Sequence, residues 1–206
     1  MTEKVDFKQT LDAYRAKRDA VAIVDVPPLQ YLMVDGQGDP NTATAFTESL
    51  EALYPLAYAL KAASKRALGR DYTVMPLEGL WSAADMAAFT DARDKSRWDW
   101  TLLMMVPDWI DEAAFRAAVD AVEAKRAPAR LGAIRLETLE EGRCVQTLHV
   151  GSFDDEGPLL AHMHDEFIPA NGLRMTGMHH EIYLSDARRV EPAKRRTILR
   201  QPVEQA

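Results

Sequence analysis

Apolar residues recur along this chain at helical and at strand spacing in turn, and that spacing lays out its elements. Phe7, Leu11 and Tyr14 fall at i, i+4 and i+7, which predicts a short amphipathic helix. Val21 to Val26 is rich in β-branched residues and reads as a strand stopped by Pro27-Pro28. Leu29 to Asp35 is a second strand, ended by a turn at Gly36-Gln37-Gly38-Asp39-Pro40. This Gly-x-Gly lacks the third glycine and the immediate helix of a dinucleotide fingerprint, so it reads as backbone turn chemistry. A long helix follows, from about Thr44 to Leu68, with Phe46, Leu50, Leu53, Ala57 and Leu60 as its buried stripe. Pro55 kinks it by removing a hydrogen bond and crowding the carbonyl of Glu51. Tyr54 precedes the kink and is either a core aromatic, like Tyr58, or a side chain the kink aims at a site.

Tyr72 to Trp81 and Arg97 to Val106 read as strands, with the polar, alanine-rich stretch Ser82 to Lys95 between them as a loop or short helix. Trp98 and Trp100 share one face of the second strand, continued by Leu102 and Met104. A helix on Ile110, Phe115, Val119 and Val122 follows, with Asp108 as the expected N-cap and Lys125 and Arg126 at its end. Leu131 to Glu140 and Arg143 to Val150 read as a hairpin around Glu141-Gly142. Gly151 to Gly157 is an acidic turn, and Pro158 to Ala170 a helix on Leu159, Leu160, Met163 and Phe167. Strands from Met175 to Leu184 and from Lys194 to Leu199, the last stopped at Pro202, complete the chain.

A repeat lies in this order. From Leu32, and again from Leu148, the pattern is strand, glycine turn, helix, strand, strand. The expected fold is α+β: one domain over residues 1–206, made of β-α-β-β pseudo-repeats at about 21–126 and 131–203. They would join in a mainly antiparallel sheet, with helices on one face and a ligand groove on the other. Glu78, in Met-Pro-Leu-Glu, then falls at the place of Glu181, in Met-His-His-Glu.

The stretch Gly177 to Asp186 carries the candidate chemistry. His179, Glu181 and Tyr183 alternate with His180, Ile182 and Leu184, so one side of a strand presents an imidazole, a carboxylate and a phenol. A carboxylate in mid-strand is costly to bury unless it is paired or used. It therefore either pairs with an arginine or faces water on an open sheet face, or it does chemistry.

Composition narrows the partners. The 206 residues are 47% hydrophobic with net charge −7, which disfavours direct nucleic-acid or anionic-membrane binding. No apolar run approaches the roughly 20 residues of a membrane span. The charged start, Met-Thr-Glu-Lys-Val-Asp-Phe-Lys, does not read as a signal peptide, and the single Cys144 permits no intrachain disulfide; a cytoplasmic protein, monomer or homodimer, is expected. No metal or other cofactor is expected. Neighbouring histidines on a strand diverge, so only His179 and Glu181, with His149 from another strand, could share a zinc, and His162 and His164 at i, i+2 diverge on a helix. Cys144 and Ser185 lack a nucleophile's surroundings.

The strings Val26-Pro27-Pro28, Asp35-Gly36-x-Gly38-Asp39-Pro40, Met75-Pro76-Leu77-Glu78-Gly79-Leu80-Trp81, Trp98-x-Trp100 and His179-His180-Glu181-Ile182-Tyr183-Leu184-Ser185-Asp186 together resemble the GyrI-like small-molecule-binding family, over about Asp6 to Val203. The nearest likeness is to its stand-alone branch, which has no DNA-binding domain. The resemblance implies a tandem β-α-β-β (SHS2-type) fold that takes hydrophobic, often aromatic or cationic, compounds in its groove. It also implies, from members that hydrolyse cyclopropane-bearing DNA-alkylating toxins, a detoxifying water-mediated ring opening. Glu181 would be the general base and Tyr54 its assistant, with Trp81, Trp98, Trp100, Tyr183, His179 and Glu78 around the ligand. The alternative is a multidrug-binding or sequestering protein, in which Glu78 and Glu181 are counter-charges and the tryptophans cation–π walls. A third reading, inhibition of another protein, finds no obvious surface patch.

Overall fold

The computed structural model describes residues 4–83, the last by its backbone only, and 94–206. Most of the stretch expected as a loop or short helix, Ser82 to Lys95, lies outside them. The elements in chain order are β1 (Lys4–Val5), α1 (Phe7–Thr10), β2 (Ala22–Val26), β3 (Leu29–Gln37), α2 (Thr44–Ala67), β4 (Asp71–Tyr72), β5 (Glu78–Ala83), β6 (Trp98–Met105) and α3 (Glu112–Arg126). They continue with β7 (Arg135–Leu139), β8 (Gly142–Val150), α4 (Gly157–Ala161), a π-helical turn (His162–Phe167), α5 (Ile168–Ala170), β9 (Leu173–Met175), β10 (His179–Tyr183) and β11 (Arg196–Gln205). The fold is α+β with antiparallel main sheet pairings, and strand–helix–strand–strand occurs twice, as β3-α2-β5-β6 and as β8-α4/α5-β10-β11. Two compact units divide the chain: Met1–Phe7, Leu29–Met75 and Trp81–Leu139 form the first, and Lys8–Pro28, Pro76–Leu80 and Glu140–Ala206 the second.

In the first unit β3 is the middle strand of an antiparallel set, with β6 on one side and β7 on the other. Leu32 faces Met104 and Val34 faces Leu102 in register, and all four are buried. α2 adds Leu53, Leu56, Ala57 and Leu60 to this core, and α3 adds Phe115, Ala118 and Val122. Each leucine, valine or phenylalanine among them contributes roughly 1.5–3 kcal/mol when fully buried. Phe46 and Leu50, expected in the buried stripe of α2, are only half-buried. The N-cap of α3 is Asp111, whose carboxylate accepts from the Ala114 N–H at 2.8 Å, and not Asp108 as expected. Capping needs a side chain three residues before its donor, and Asp108 stands one turn too early.

Gly36, expected in the turn, lies within β3, which runs on to Gln37. It pairs with Trp100, and a Cβ built on it would lie 2.0 Å from that indole ring, whose Nε1–H donates to the Gly38 carbonyl at 3.2 Å. Gly36→Ala is therefore expected to displace the ring and cost about 1–3 kcal/mol by overpacking, read as a lower denaturant midpoint. An unchanged midpoint would show that the ring gives way freely.

In the second unit β11 lies between β8 and β10, β2 flanks β8, and residues 78–80 of β5 adjoin β10. Val145, Met163, Ile168, Leu173, Leu199 and Val203 form its apolar core. The expected hairpin of β7 with β8 does not exist. β7 pairs with β3, whereas β8 pairs with β2 and β11, because both strands have apolar partners available elsewhere and Glu141, between them, is drawn into the interior. The last strand does not stop at Pro202 either. β10 pairs with β11 as far as Arg200 and β9 takes over at Val203, while on the other edge the ladder with β8 runs through Pro202, which faces Cys144. Other expected elements are broken: Tyr72 to Trp81 becomes β4 and β5, Met175 to Leu184 becomes β9 and β10, and the first helix ends at Thr10, before a separate turn of Asp12–Tyr14. Among the described residues no helix is long and apolar enough to cross a membrane.

Candidate functional site

β10 alternates as its sequence requires. His180 and Ile182 are wholly buried, and His179, Glu181 and Tyr183 point to the other side, where they are half-buried. The two sides hold different chemistry.

On the buried side lies a closed network of charges. His180 Nε2 is 2.9 Å from Glu78 Oε2 and its Nδ1 is 2.9 Å from Glu141 Oε1. The Tyr14 hydroxyl donates to Glu78 Oε1 at 2.6 Å. Arg200, 1% exposed, donates to Glu141 Oε2 at 2.8 Å, to Gln146 Oε1 at 3.1 Å and to the Ala13 carbonyl. Burial alone would discharge Glu141 and His180, but the charges around them prevail. Burial raises the Glu141 carboxyl, yet His180 and Arg200 hold it down at about 2. Burial lowers His180, yet the carboxylate and hydrogen bond of Glu141, then the hydrogen bond to Glu78, leave its pKa raised. His180 and Arg200 thus both lie against the Glu141 carboxylate. Glu78, expected on the ligand-facing side as a counter-charge, is fully enclosed with both oxygens engaged. The reason is its Tyr14 and His180 partners, both remote in sequence. Cys144 is also buried, and burial, then the Glu141 charge, pushes its thiol up to about 12, so it is no nucleophile.

On the other side of β10, Glu181 Oε1 is 3.6 Å from His179 Nε2, beyond hydrogen-bond reach. The Tyr183 ring meets Phe153 edge-on at 5.6 Å, and the Arg195 guanidinium lies 5.3 Å from the Phe153 ring. Two residues near Glu181 have no counterpart among the expected ones. Glu156, just ahead of α4, is 4% exposed; burial first, then the charges of Glu181 and Asp154, push its acid up to about 9. His164, on the π-helical turn, stands edge-on to His179 at 5.9 Å, and burial, then His179, lowers it to about 4. The only sequence signal for them is an acidic turn and a histidine two residues after another. The π-helical turn changes where His164 points relative to an α-helix, and such turns are frequent at functional sites.

The remaining candidates lie in the first unit. Tyr54 is half-buried and, with Tyr58, Lys125 and Arg126, lines a cavity of about 570 Å³ between α2 and α3. Trp100 is 2% exposed and meets Phe46 edge-on at 5.2 Å, so the expected ligand wall is a core residue that covers Gly36. Trp81, also buried, stacks on Phe46 at 6.4 Å and meets the half-buried Trp98 at 5.6 Å. His149, considered as a third metal ligand, spends Nε2 on the Ser152 carbonyl at 2.9 Å. Among the described residues no three His, Cys, Asp or Glu side chains are grouped so that they could hold a metal ion.

A fold of two β-α-β-β passages with an acidic and aromatic strand at its site defines a class, and the chain belongs to it: residues 19–204 match the GyrI-like small molecule binding domain. An uncharacterised conserved protein from Listeria innocua is similar over 98% of this chain and 100% of its own, at 36% identity and TM-score 0.89. A hydrolase encoded by lin2189 from the same organism is 35% identical over the same shares, at TM-score 0.87. The C-terminal domain of EcmrR shares the fold at TM-score 0.53 and 12% identity, covering 91% of this chain and 98% of that domain. No curated protein matches.

Proposed function

We propose that this chain hydrolyses hydrophobic aromatic compounds that carry a strained cyclopropane, with Glu181 as the general base for water. The observation that supports this most is the contrast between its two site glutamates. Glu78 has both oxygens bonded inside the protein, whereas Glu181 is half-buried and no hydrogen bond among the described residues engages it. A carboxylate in that state can take a proton from water, which contributes roughly 10²–10⁴ to a rate. Water would attack a ring carbon, the strained bond would open, and its electrons would pass to a conjugated ketone oxygen. His179 and Tyr183 are the proposed contacts beside the base. The assisting role of Tyr54 and the wall role of Trp98, both in the first unit, rest on the family resemblance and are tested by substitution. The relatives called hydrolases support the reaction class. The biological outcome would be protection from a DNA-alkylating toxin.

A second reading is binding alone, favoured by the matched domain, which is described by small-molecule binding. Mass spectrometry of a cyclopropane-bearing aromatic ketone after incubation separates the two. The hydrolase reading expects loss of the parent mass and a product heavier by one water. Tight binding with the parent mass intact would establish the sequestering protein instead.

A further inference from the structure

Three side chains of the second unit present buried polar atoms with no hydrogen-bond partner, Glu156 Oε1, His164 Nε2 and both ring nitrogens of His179; His179 lies 3.6 Å from Glu181, His164 meets His179 edge-on at 5.9 Å, and the Glu181 charge acts on Glu156. They come from three separate elements, the residue ahead of α4, the π-helical turn and β10. An unsatisfied buried polar atom costs about 1–3 kcal/mol, so such groups are few in folded proteins and call for an explanation. Four of them in three side chains fit a place that holds water and a polar group of a ligand. Glu156 is the most enclosed of the three, and its main chain is fixed by the Leu160 N–H, which donates to the Glu156 carbonyl at 2.9 Å.

We infer that Glu156 is the acid partner of Glu181: it holds a proton that it delivers to the substrate as Glu181 takes one from water, an inference that rests on the hydrolase reading of this site. The two carboxyl groups differ in surroundings. Glu181 keeps 16% of its side chain exposed beside a histidine, whereas Glu156 is shut away at 4% with an orphaned oxygen, so a proton shared by the pair resides on Glu156. The charges acting on Glu156 are those of Glu181 and Asp154, both acidic. The chemistry balances. The water oxygen bonds to a ring carbon as the strained carbon–carbon bond breaks, and its electron pair reaches the conjugated oxygen. The water proton goes to Glu181, and the Glu156 proton goes to that oxygen. One water is added with no net oxidation or reduction, and transfer of the proton from Glu181 to Glu156 resets the pair.

Two measurements on the intact chain test this. In a titration followed by NMR of ¹³C-labelled glutamate carboxyls, Glu156 is expected to titrate near 9 in the wild type, and lower in Glu181→Gln because the facing charge is gone. This requires no turnover, so it stands or falls apart from the hydrolase reading. In hydrolysis of the cyclopropane ketone, Glu156→Gln is expected to lower the rate by roughly 10² or more with affinity kept, and to remove the alkaline limb of the pH–rate profile. An amide reproduces the neutral, buried shape, so a merely structural Glu156 would leave both rate and profile unchanged. Titration of Glu156 in the ordinary carboxyl range, or full activity of Glu156→Gln, overturns the acid role. A wild type that consumes no substrate while Glu156 still titrates near 9 overturns the hydrolase reading, and proton delivery with it, but leaves the shared-proton pair in place.

Discussion

Glu181→Gln is expected to lower the rate of cyclopropane opening by roughly 10² or more while substrate affinity stays within a few-fold of wild type. The amide keeps the shape of the side chain and its place on β10, but it accepts no proton from water. The half-buried setting and the lack of a hydrogen-bond partner make this a test of basicity and not of folding, since no hydrogen bond of the described residues is lost. Tyr54→Phe is expected to cost less, because it removes an orienting hydroxyl and leaves the base. Pre-steady-state binding and single-turnover rates, measured separately, distinguish the two effects. If Glu181→Gln weakens binding of cationic ligands alone and wild type turns nothing over, Glu181 is a counter-charge. If neither rate nor affinity changes, the site is elsewhere.

Arg200→Met is expected to destabilise the chain by about 3–5 kcal/mol, read as a large fall in the urea midpoint. Methionine fills much of the volume, so the loss comes from charge. Glu141 would remain buried with His180 as its one charged partner, and the Gln146 and Ala13 acceptors would lose their donor. A loss under about 1 kcal/mol would mean that water reaches the network. The same groups set a pH window. The Glu141 carboxyl is held at about 2 against 4.5 when unfolded, so its contribution is complete above about 4.5 and is lost as pH falls through about 2. His180 is shifted the other way. Its contribution is complete below its unfolded value of 6.5 and is lost as pH rises through its higher folded value. Glu156 acts against stability as pH rises: from 4.5 to about 9 the folded chain keeps a proton that the unfolded chain releases, so stability declines across that interval.

Period and punctuation carried much of the fold into the sequence. The two strand–helix–strand–strand passages, the long proline-bearing helix and the alternation of β10 follow from apolar spacing, which reflects burial one element at a time. Strand partnership does not. β2 precedes β3 in the chain yet pairs with β8, and β7 precedes β8 yet pairs with β3, because pairing is decided by long-range packing that local spacing does not encode. The candidate base drew notice for the same reason that β10 did: Glu181 stands mid-strand on the polar side of a regular alternation. The fate of Glu78 was not, since its enclosure depends on Tyr14 and His180, 64 and 102 residues away. Arg200 had a faint signal, a cation directly after Ile198 and Leu199. Glu156 and His164 had less, because a buried acid in a turn and a histidine on a π-helical turn look like solvent-facing residues until the chain is folded.

The central claim is that Glu181 directs water to a strained carbon, and single-turnover hydrolysis in ¹⁸O-labelled water tests it most directly. Wild type and Glu181→Gln would each be mixed in excess with a cyclopropane-bearing aromatic ketone and the product mass followed in time. The account predicts that wild type places one ¹⁸O on the former ring carbon, and that Glu181→Gln holds the intact substrate over the same interval. Equal labelled product from both proteins, or a wild type that binds the ketone and returns it unchanged, would contradict it.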